Sequence, residues 1–305
     1  MNAQAEPRMD APASAQREFP FDREHFRLIS ERVYQFSGIR LPVAKREMVY
    51  ARLARRLRTL GIASFDAYIR YLELEPAEWE HCTNALTTNV TSFFREEHHF
   101  RSLALHAAAH AAEHAASGAP YRVWSAGCST GEEPYTIAMC LAETLGNGAF
   151  RVVATDLDTQ VLATAREGVY PLQSVLKVSE ERQKRFFLRG TGRFEGRARV
   201  RRELGSHVEF ARLNLMEREW AVEGPFDAIF CRNVMIYFDK PTQARLIERF
   251  AALLGPHGLF FAGHAESLLD NGRHFRLRGQ TVYELVARTH TQTSPRREGT
   301  PNDAR

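Results

Sequence analysis

Chemistry-bearing side chains gather where apolar runs end. The run YRVWSA (121–126) leads into Gly127-Cys128-Ser129-Thr130-Gly131-Glu132-Glu133-Pro134, and a helix-patterned segment, EEPYTIAMCLAETL (132–145), follows. Small residues between a strand and a helix let the backbone approach a ligand closely. A dinucleotide fingerprint starting at Gly127 needs glycines at positions 129 and 132, and this chain has Ser129 and Glu132 there. Two carboxylates in a first helical turn repel a pyrophosphate and favour a cationic ligand. S-adenosylmethionine carries an ammonium and a sulfonium and no phosphate, so the turn favours this cofactor over NAD. Equally, Glu132 and Glu133 are acids that a helix N-terminus takes up merely to complement its dipole.

Three further positions follow strands. Asp156 ends RVVATD (151–156), where an acid accepts hydrogen bonds from both ribose hydroxyls of an adenosine; with Asp158 nearby it also reads as a turn residue. HVEFARLNL (207–215) contains a strand, and Asn214 follows that strand, placing an amide within reach of an adenine edge. Arg232-Asn233 follow FDAIFC (226–231), at the carboxyl end where open α/β sheets bind ligands, although Asn233 equally suits a turn cap. No metal site is expected. The four cysteines lie far apart with no C-x-x-C pair, and His98-His99 are neighbours that point to different sides of a helix.

The elements that must position these residues divide in two. Residues 21–95 are predicted to form a helical domain, with helical periodicity from Asp22 to about Leu86: Phe26, Ile29, Val33 and Phe36 repeat at threes and fours, and Gly38 stops the helix. A second helix is predicted over 44–60 with Met48, Leu53 and Leu57 inward, and Ser64 caps a third. A fourth carries Trp79 with Pro76 in its first turn. A linker helix, 96–118, leads to the second part, 119–288. There strands and helices alternate, which predicts an α/β fold with a parallel sheet covered by helices on both faces. FRLRGQTVYELVAR (275–288) predicts a closing antiparallel hairpin. Residues 170–206 interrupt the alternation and are Gly- and Arg-rich, which predicts a small inserted β subdomain. The ends, 1–20 and 289–305, have the composition of disordered segments.

A net charge of +4 over 305 residues suits an acidic protein partner better than nucleic acid. No run approaches the roughly 20 apolar residues of a membrane span, and the N-terminus lacks a secretory apolar core. With dispersed cysteines, this predicts a cytoplasmic protein.

NALTTNVTSFFREEHHF (84–100), RVWSAGCSTGEEPYTIA (122–138), FDAIFCRNVMIYFDK (226–240) and GLFFAGHAESL (258–268) closely resemble the chemotaxis receptor methyltransferases, the CheR family. The resemblance covers about residues 21 to 285 in family order. It implies a Rossmann-like S-adenosylmethionine methyltransferase domain with an inserted β subdomain, preceded by a small all-helical domain. It implies that Asn89, Thr91 and Arg95 bring the N-terminal domain onto the cofactor, although Thr87-Thr88-Asn89 alone reads as a helix-breaking turn. A Glu of the GEEP turn, Glu133 rather than Glu132, binds the methionyl ammonium, substituting for the strand-end acid of many methyltransferases, where this chain has Ser125. Asp156 holds the ribose, Asn214 and Leu215 flank the adenine, and Arg232-Asn233 close the site. Arg95 and Tyr237 form the active-site pair. The implied reaction is esterification of receptor glutamates, giving S-adenosylhomocysteine. The implied partner is a methyl-accepting receptor, met through Arg52, Arg55, Arg56 and Arg58, with a receptor C-terminal peptide at the Gly-rich loop Gly190-Thr191-Gly192. Two alternatives share these residues: a non-catalytic cofactor-binding docking module, and a methyltransferase for another carboxylate.

Overall fold

A computed structural model describes residues 17–266 and 274–286. The expected disordered ends lie outside these residues, apart from 17–20. Helix α1 (Arg23–Ser37) starts at a reciprocal cap: Asp22 accepts from the His25 amide at 2.8 Å, and the Asp22 amide donates to the His25 ring at 3.2 Å. It stops at Gly38, whose φ of 71° favours glycine and whose missing Cβ leaves room for Met216 Sδ. A 3-10 turn (Val43–Lys45) then precedes α2 (Arg46–Leu60), so the second helix begins two residues later than predicted. Ser64 caps α3 (Phe65–Leu74) as expected.

Helix α4 (Glu78–Leu86) departs further from expectation. Pro76 lies in the preceding turn rather than in its first helical turn, and Trp79 is only half-buried. The buried position belongs to Glu78, which is 4% exposed. Its carboxylate accepts from Arg56 at 2.7 and 2.6 Å and from the Tyr68 hydroxyl at 2.9 Å. Ile29, Val33, Val49, Leu53, Leu57, Phe65, Tyr68, Leu72 and Cys82 fill the core of this helical unit, Val49 taking the place expected for Met48.

Helix α5 (His98–Ser117) was read as a linker from the sequence, but it is held against the sheet. Its Phe100 stacks on Phe230 at 5.8 Å, and Leu103 and Ala107 are fully buried. His98 and His99 do not diverge as expected. Both rings reach the Gln280 carbonyl, at 3.1 and 3.0 Å, because successive side chains only about 100° apart both lean from the first turn toward that loop.

Next come β1 (Tyr121–Ala126), α6 (Glu132–Thr144), β2 (Phe150–Asp156), α7 (Thr159–Glu167), β3 (Val169–Pro171), α8 (Leu172–Val175), α9 (Glu180–Phe186), β4 (Phe187–Arg189), β5 (Arg197–Val200), α10 (Arg202–Gly205), β6 (Val208–Arg212), β7 (Phe226–Cys231), α11 (Lys240–Leu253), β8 (Leu254–Ala262), β9 (Phe275–Gly279) and β10 (Val282–Leu285). The main sheet runs β6-β2-β1-β7-β8-β10-β9, parallel from β6 to β8 and closed by the antiparallel hairpin β9-β10. Trp124, Phe226, Phe230, Phe260 and Phe261 are fully buried, as strands covered on both faces require. The chain winds outward from β1 in one direction to β6 and then resumes on β1's other side with β7. A crevice therefore opens at the carboxyl ends of β1 and β7. β3, β5 and β4 make a separate antiparallel sheet. Among the described residues no helix is long and apolar enough to cross a membrane.

Arg56→Ala removes the cation that compensates a buried carboxylate, so it should destabilise the protein by about 2–4 kcal/mol, somewhat less than a fully buried pair because Arg56 is 23% exposed. Chemical denaturation checks this; a loss below about 0.5 kcal/mol, the level of a surface substitution, would show that Glu78 does not depend on Arg56.

Candidate active site

One cavity lies over the carboxyl ends of β1, β2 and β7, and Asn89, Thr91, Arg95, Glu133, Asp156, Asn214, Leu215, Arg232, Asn233 and Tyr237 all line it. The turn after β1 shapes its floor. Gly127 has φ 90°, and a Cβ there would lie 2.4 Å from Val234 Cγ2, so only glycine fits. The Gly127 and Cys128 amides donate to the Thr155 carbonyl at 2.8 and 2.9 Å, tying the turn to β2. Asp156 is fixed by two backbone amides: Ser129 N reaches one oxygen at 2.8 Å and Asp158 N the other at 2.9 Å. Burial outweighs these amides and pushes the Asp156 carboxyl up to about 6.

The two acids of the turn separate cleanly. Glu133 lines the cavity, accepting from Ser125 Oγ at 2.7 Å and pairing with Arg232 at 2.9 Å. Glu132 is buried and bonded to Thr130 Oγ1 at 2.6 Å, and burial raises its carboxyl. Arg232, 6% exposed, also pairs with Glu96 at 3.1 Å and donates to the Arg95 carbonyl. Burial opposes ionisation of Glu96, but the Arg232 guanidinium prevails and holds that carboxyl below its usual range. Two carboxylates thus share one guanidinium, and with Asp156 this end of the cavity carries excess negative charge. That donor set fits the ammonium and sulfonium of S-adenosylmethionine and is wrong for a pyrophosphate.

The lining also has basic and aromatic members. The Arg95 guanidinium donates to the Val90 carbonyl at 2.9 Å and makes no ion pair among the described residues. Its neighbours Phe94 and Glu96 have φ of 54° and 58°, a strained turn braced by the Phe94 amide on Thr136 Oγ1 at 3.2 Å. Tyr237 ends a 3-10 turn, Met235–Tyr237, and Lys45 Nζ lies 5.3 Å from its ring centre. Asn214 lines the cavity, but its amide already donates to the Phe36 carbonyl at 2.7 Å and accepts from Met216 N at 2.9 Å. Its amide ties α1 to the sheet.

Four contributors were missed from the sequence: Lys45, Glu96, Asp158 and Glu266. Asp158 had a local signal, since an Asp before a helix-patterned run reads as a cap. One oxygen caps α7 through Gln160 N at 2.9 Å, and the other accepts from Thr87 Oγ1 and Asn89 Nδ2, each at 2.9 Å. Of the four α2 arginines that the resemblance brings to the receptor, two are occupied within the chain. Arg56 is committed to Glu78, and Arg52 donates to the Thr87 and Ala85 carbonyls at 2.5 and 3.3 Å. Arg55 is exposed, and Arg58 is exposed in a solvent-facing pair with Glu18 at 3.0 Å.

Fold and cavity define an S-adenosylmethionine-dependent methyltransferase. Residues 24–87 match the family model described as CheR methyltransferase, all-alpha domain, and residues 89–284 match CheR methyltransferase, SAM binding domain. The chain is 52% identical over 280 residues to the chemotaxis protein methyltransferase of Klebsiella aerogenes, covering 90% of this chain and 94% of that one. It is 51% identical to chemotaxis protein methyltransferase 2 of Pseudomonas aeruginosa (90% and 97% covered) and 53% identical to the Escherichia coli chemotaxis protein methyltransferase (86% and 90%). The chain belongs to the CheR family of chemotaxis methyltransferases, and its cofactor is S-adenosylmethionine.

The family resemblance gives Asp156 the two ribose hydroxyls, a role in which a carboxylate accepts more strongly than a neutral carboxyl. Affinity for S-adenosylhomocysteine should therefore be flat above pH 7 and fall below about pH 6, approaching tenfold per pH unit. Calorimetry across pH 5–8 checks this. Asp156→Asn should bind weakly without that pH dependence, and an unchanged acid limb in the variant would assign it to another group.

Proposed function

We propose that this chain esterifies glutamate side chains of chemotaxis receptors, in the cytoplasm, within this cavity. The observation that carries the reading is Arg95: a guanidinium on the wall of a cavity that Glu133 and Asp156 also line, with no ion pair among the described residues. It leaves a cation available for an incoming carboxylate.

S-adenosylmethionine, held by Glu133 and Asp156 with Leu215 and Asn233 beside it, supplies an electrophilic methyl group. The rest concerns this chain's own residues. A glutamate carboxylate with a reference pKa near about 4.3 is ionised at neutral pH, so no general base is required. The demand is alignment and removal of water. Arg95 positions the carboxylate through a charge-assisted hydrogen bond, and the single bond to Val90 keeps its remaining donors available. Tyr237 offers its ring or hydroxyl close to the transfer point. The products are a glutamyl methyl ester and S-adenosylhomocysteine, and the receptor loses one negative charge. A folded Arg95→Ala variant should lose about 2–4 kcal/mol of barrier lowering while still binding S-adenosylhomocysteine. Transfer of labelled methyl to receptor membranes measures this, and near-normal turnover would refute the role of Arg95.

Two surfaces serve receptor docking. Arg55 and Arg58 on α2 present positive charge to acidic receptor helices, while Arg52 and Arg56 hold the helix in place. The small sheet β3-β5-β4 offers the edge strand β4, with Arg189, Arg193, Arg197 and Arg199 nearby, for a receptor C-terminal peptide. Gly190 supports the loop: a Cβ there would lie 2.0 Å from the Phe194 carbonyl oxygen. Such a tether raises local enzyme concentration without changing the chemistry. Charge reversal at Arg55 and Arg58 should slow methylation at physiological salt and leave cofactor affinity unchanged. Calorimetry of receptor tail peptides should show binding that is independent of cofactor and lost when residues 190–196 are shortened; if no tail binds the intact protein, the sheet has only a structural role.

A further inference from the structure

Glu266 lies beyond the end of β8, is 5% exposed, and does not line the cofactor cavity. No Lys or Arg pairs with it among the described residues. Backbone amides answer its carboxylate instead: one oxygen accepts from Gly263 N at 2.6 Å and Asn233 N at 2.8 Å, and the other accepts from Ile236 N at 3.2 Å. Burial raises the carboxyl, and these amides oppose that rise. Two of the three donors belong to the loop after β7, which carries Arg232, Asn233 and Tyr237 into the cavity.

The loop needs such a hold. Asn233 has φ 60°, a left-handed conformation that asparagine tolerates better than other residues with a Cβ, and its backbone is held there from both sides. The contact is tight on the far side as well. A Cβ on Gly263 would lie 2.5 Å from Asn233 Nδ2, 2.8 Å from Asn233 N and 2.8 Å from Glu266 Oε2. On its other flank the Tyr237 carbonyl accepts from the Arg40 amide at 2.9 Å. The helical unit and Glu266 therefore hold the two flanks of the loop.

We infer that Glu266 is a positioning residue for methyl transfer: its carboxylate sets the backbone that places Asn233 and Tyr237, without touching substrate or cofactor. This rests on the receptor-methylation reading above. Glutamine is the informative replacement. It keeps one acceptor oxygen but turns an NH2 group toward amides that can only donate. Gly263→Ala disturbs the same contact from the other side and leaves the carboxylate in place.

Both variants are compared with the full-length wild type in cofactor-saturated methyl transfer, S-adenosylhomocysteine calorimetry and amide hydrogen exchange. In each folded variant kcat should fall about ten- to a hundredfold, with the receptor KM within about threefold because the docking faces are untouched. The amides of Asn233 and Ile236 should exchange faster, while β1 and β7 keep their protection. Wild-type kcat in folded Glu266→Gln and Gly263→Ala would overturn the inference, and so would a loss of stability alone with kcat unchanged. If Glu266→Gln fails to fold, Gly263→Ala carries the same test. If the wild type itself methylates no receptor glutamate, the functional reading fails by itself. In that case unchanged exchange at Asn233 and Ile236 with unchanged cofactor affinity would overturn the positioning role, and faster exchange with weaker affinity would support it.

Discussion

The site depends on one buried guanidinium. Arg232 follows β7, yet its partners come from two distant segments: Glu133 in the first turn of α6, and Glu96 with the Arg95 carbonyl in the turn before α5. A charge this deep is tolerable only when paired and hydrogen-bonded. The same pairing fixes three parts of the cavity wall relative to one another. Because two carboxylates share one cation, the cluster keeps negative character, which suits a cationic ligand.

The helical unit completes the cavity from above. Asp158 holds Thr87 and Asn89 while capping α7, Asn214 reaches the Phe36 carbonyl, and the Arg40 amide reaches the Tyr237 carbonyl. Each bond joins a residue near the cavity wall to a residue of the helical unit or its exit. Of the acidic groups, Glu133 and Asp156 belong to the sheet and the helix that follows its first strand, and Glu96 comes from the turn before α5. The basic groups, Arg95 and Lys45, come from the helical unit and the segment leaving it. In the proposed reaction the Arg95 guanidinium meets the incoming carboxylate, while the neighbouring Glu96 is held by Arg232 and leaves Arg95 unpaired among the described residues.

What the sequence revealed follows the range of the interactions. The turn at 127–134, the acid ending β2 and the residues after β7 are local patterns tied to strand ends, and all of them reach one cavity. The partners of Arg232 were not legible, since Glu96 lies 136 positions away and nothing in its neighbourhood marks it as buried. The inward turn of α4 was missed for a different reason. The sequence assigned no inward residue to this nine-residue helix, and hydrophobicity would favour the half-buried Trp79 over the buried Glu78. Arg56, named for the receptor by resemblance, is the counter-ion of Glu78, a pairing that no local pattern marks. Asn214 was legible as a cavity residue, but its bond to Phe36 depends on packing between distant segments.

The central claim is that this cavity joins a methyl group to a carboxylate. The most direct test incubates the full chain with receptor-containing membranes and S-adenosylmethionine labelled on its methyl group, then treats the isolated receptor with mild base. A glutamyl methyl ester releases the label as volatile methanol, and the account predicts that essentially all receptor-bound label leaves in this form. Label that stays on the receptor through base would mean transfer to nitrogen or sulfur and would contradict the account, as would no incorporation at all.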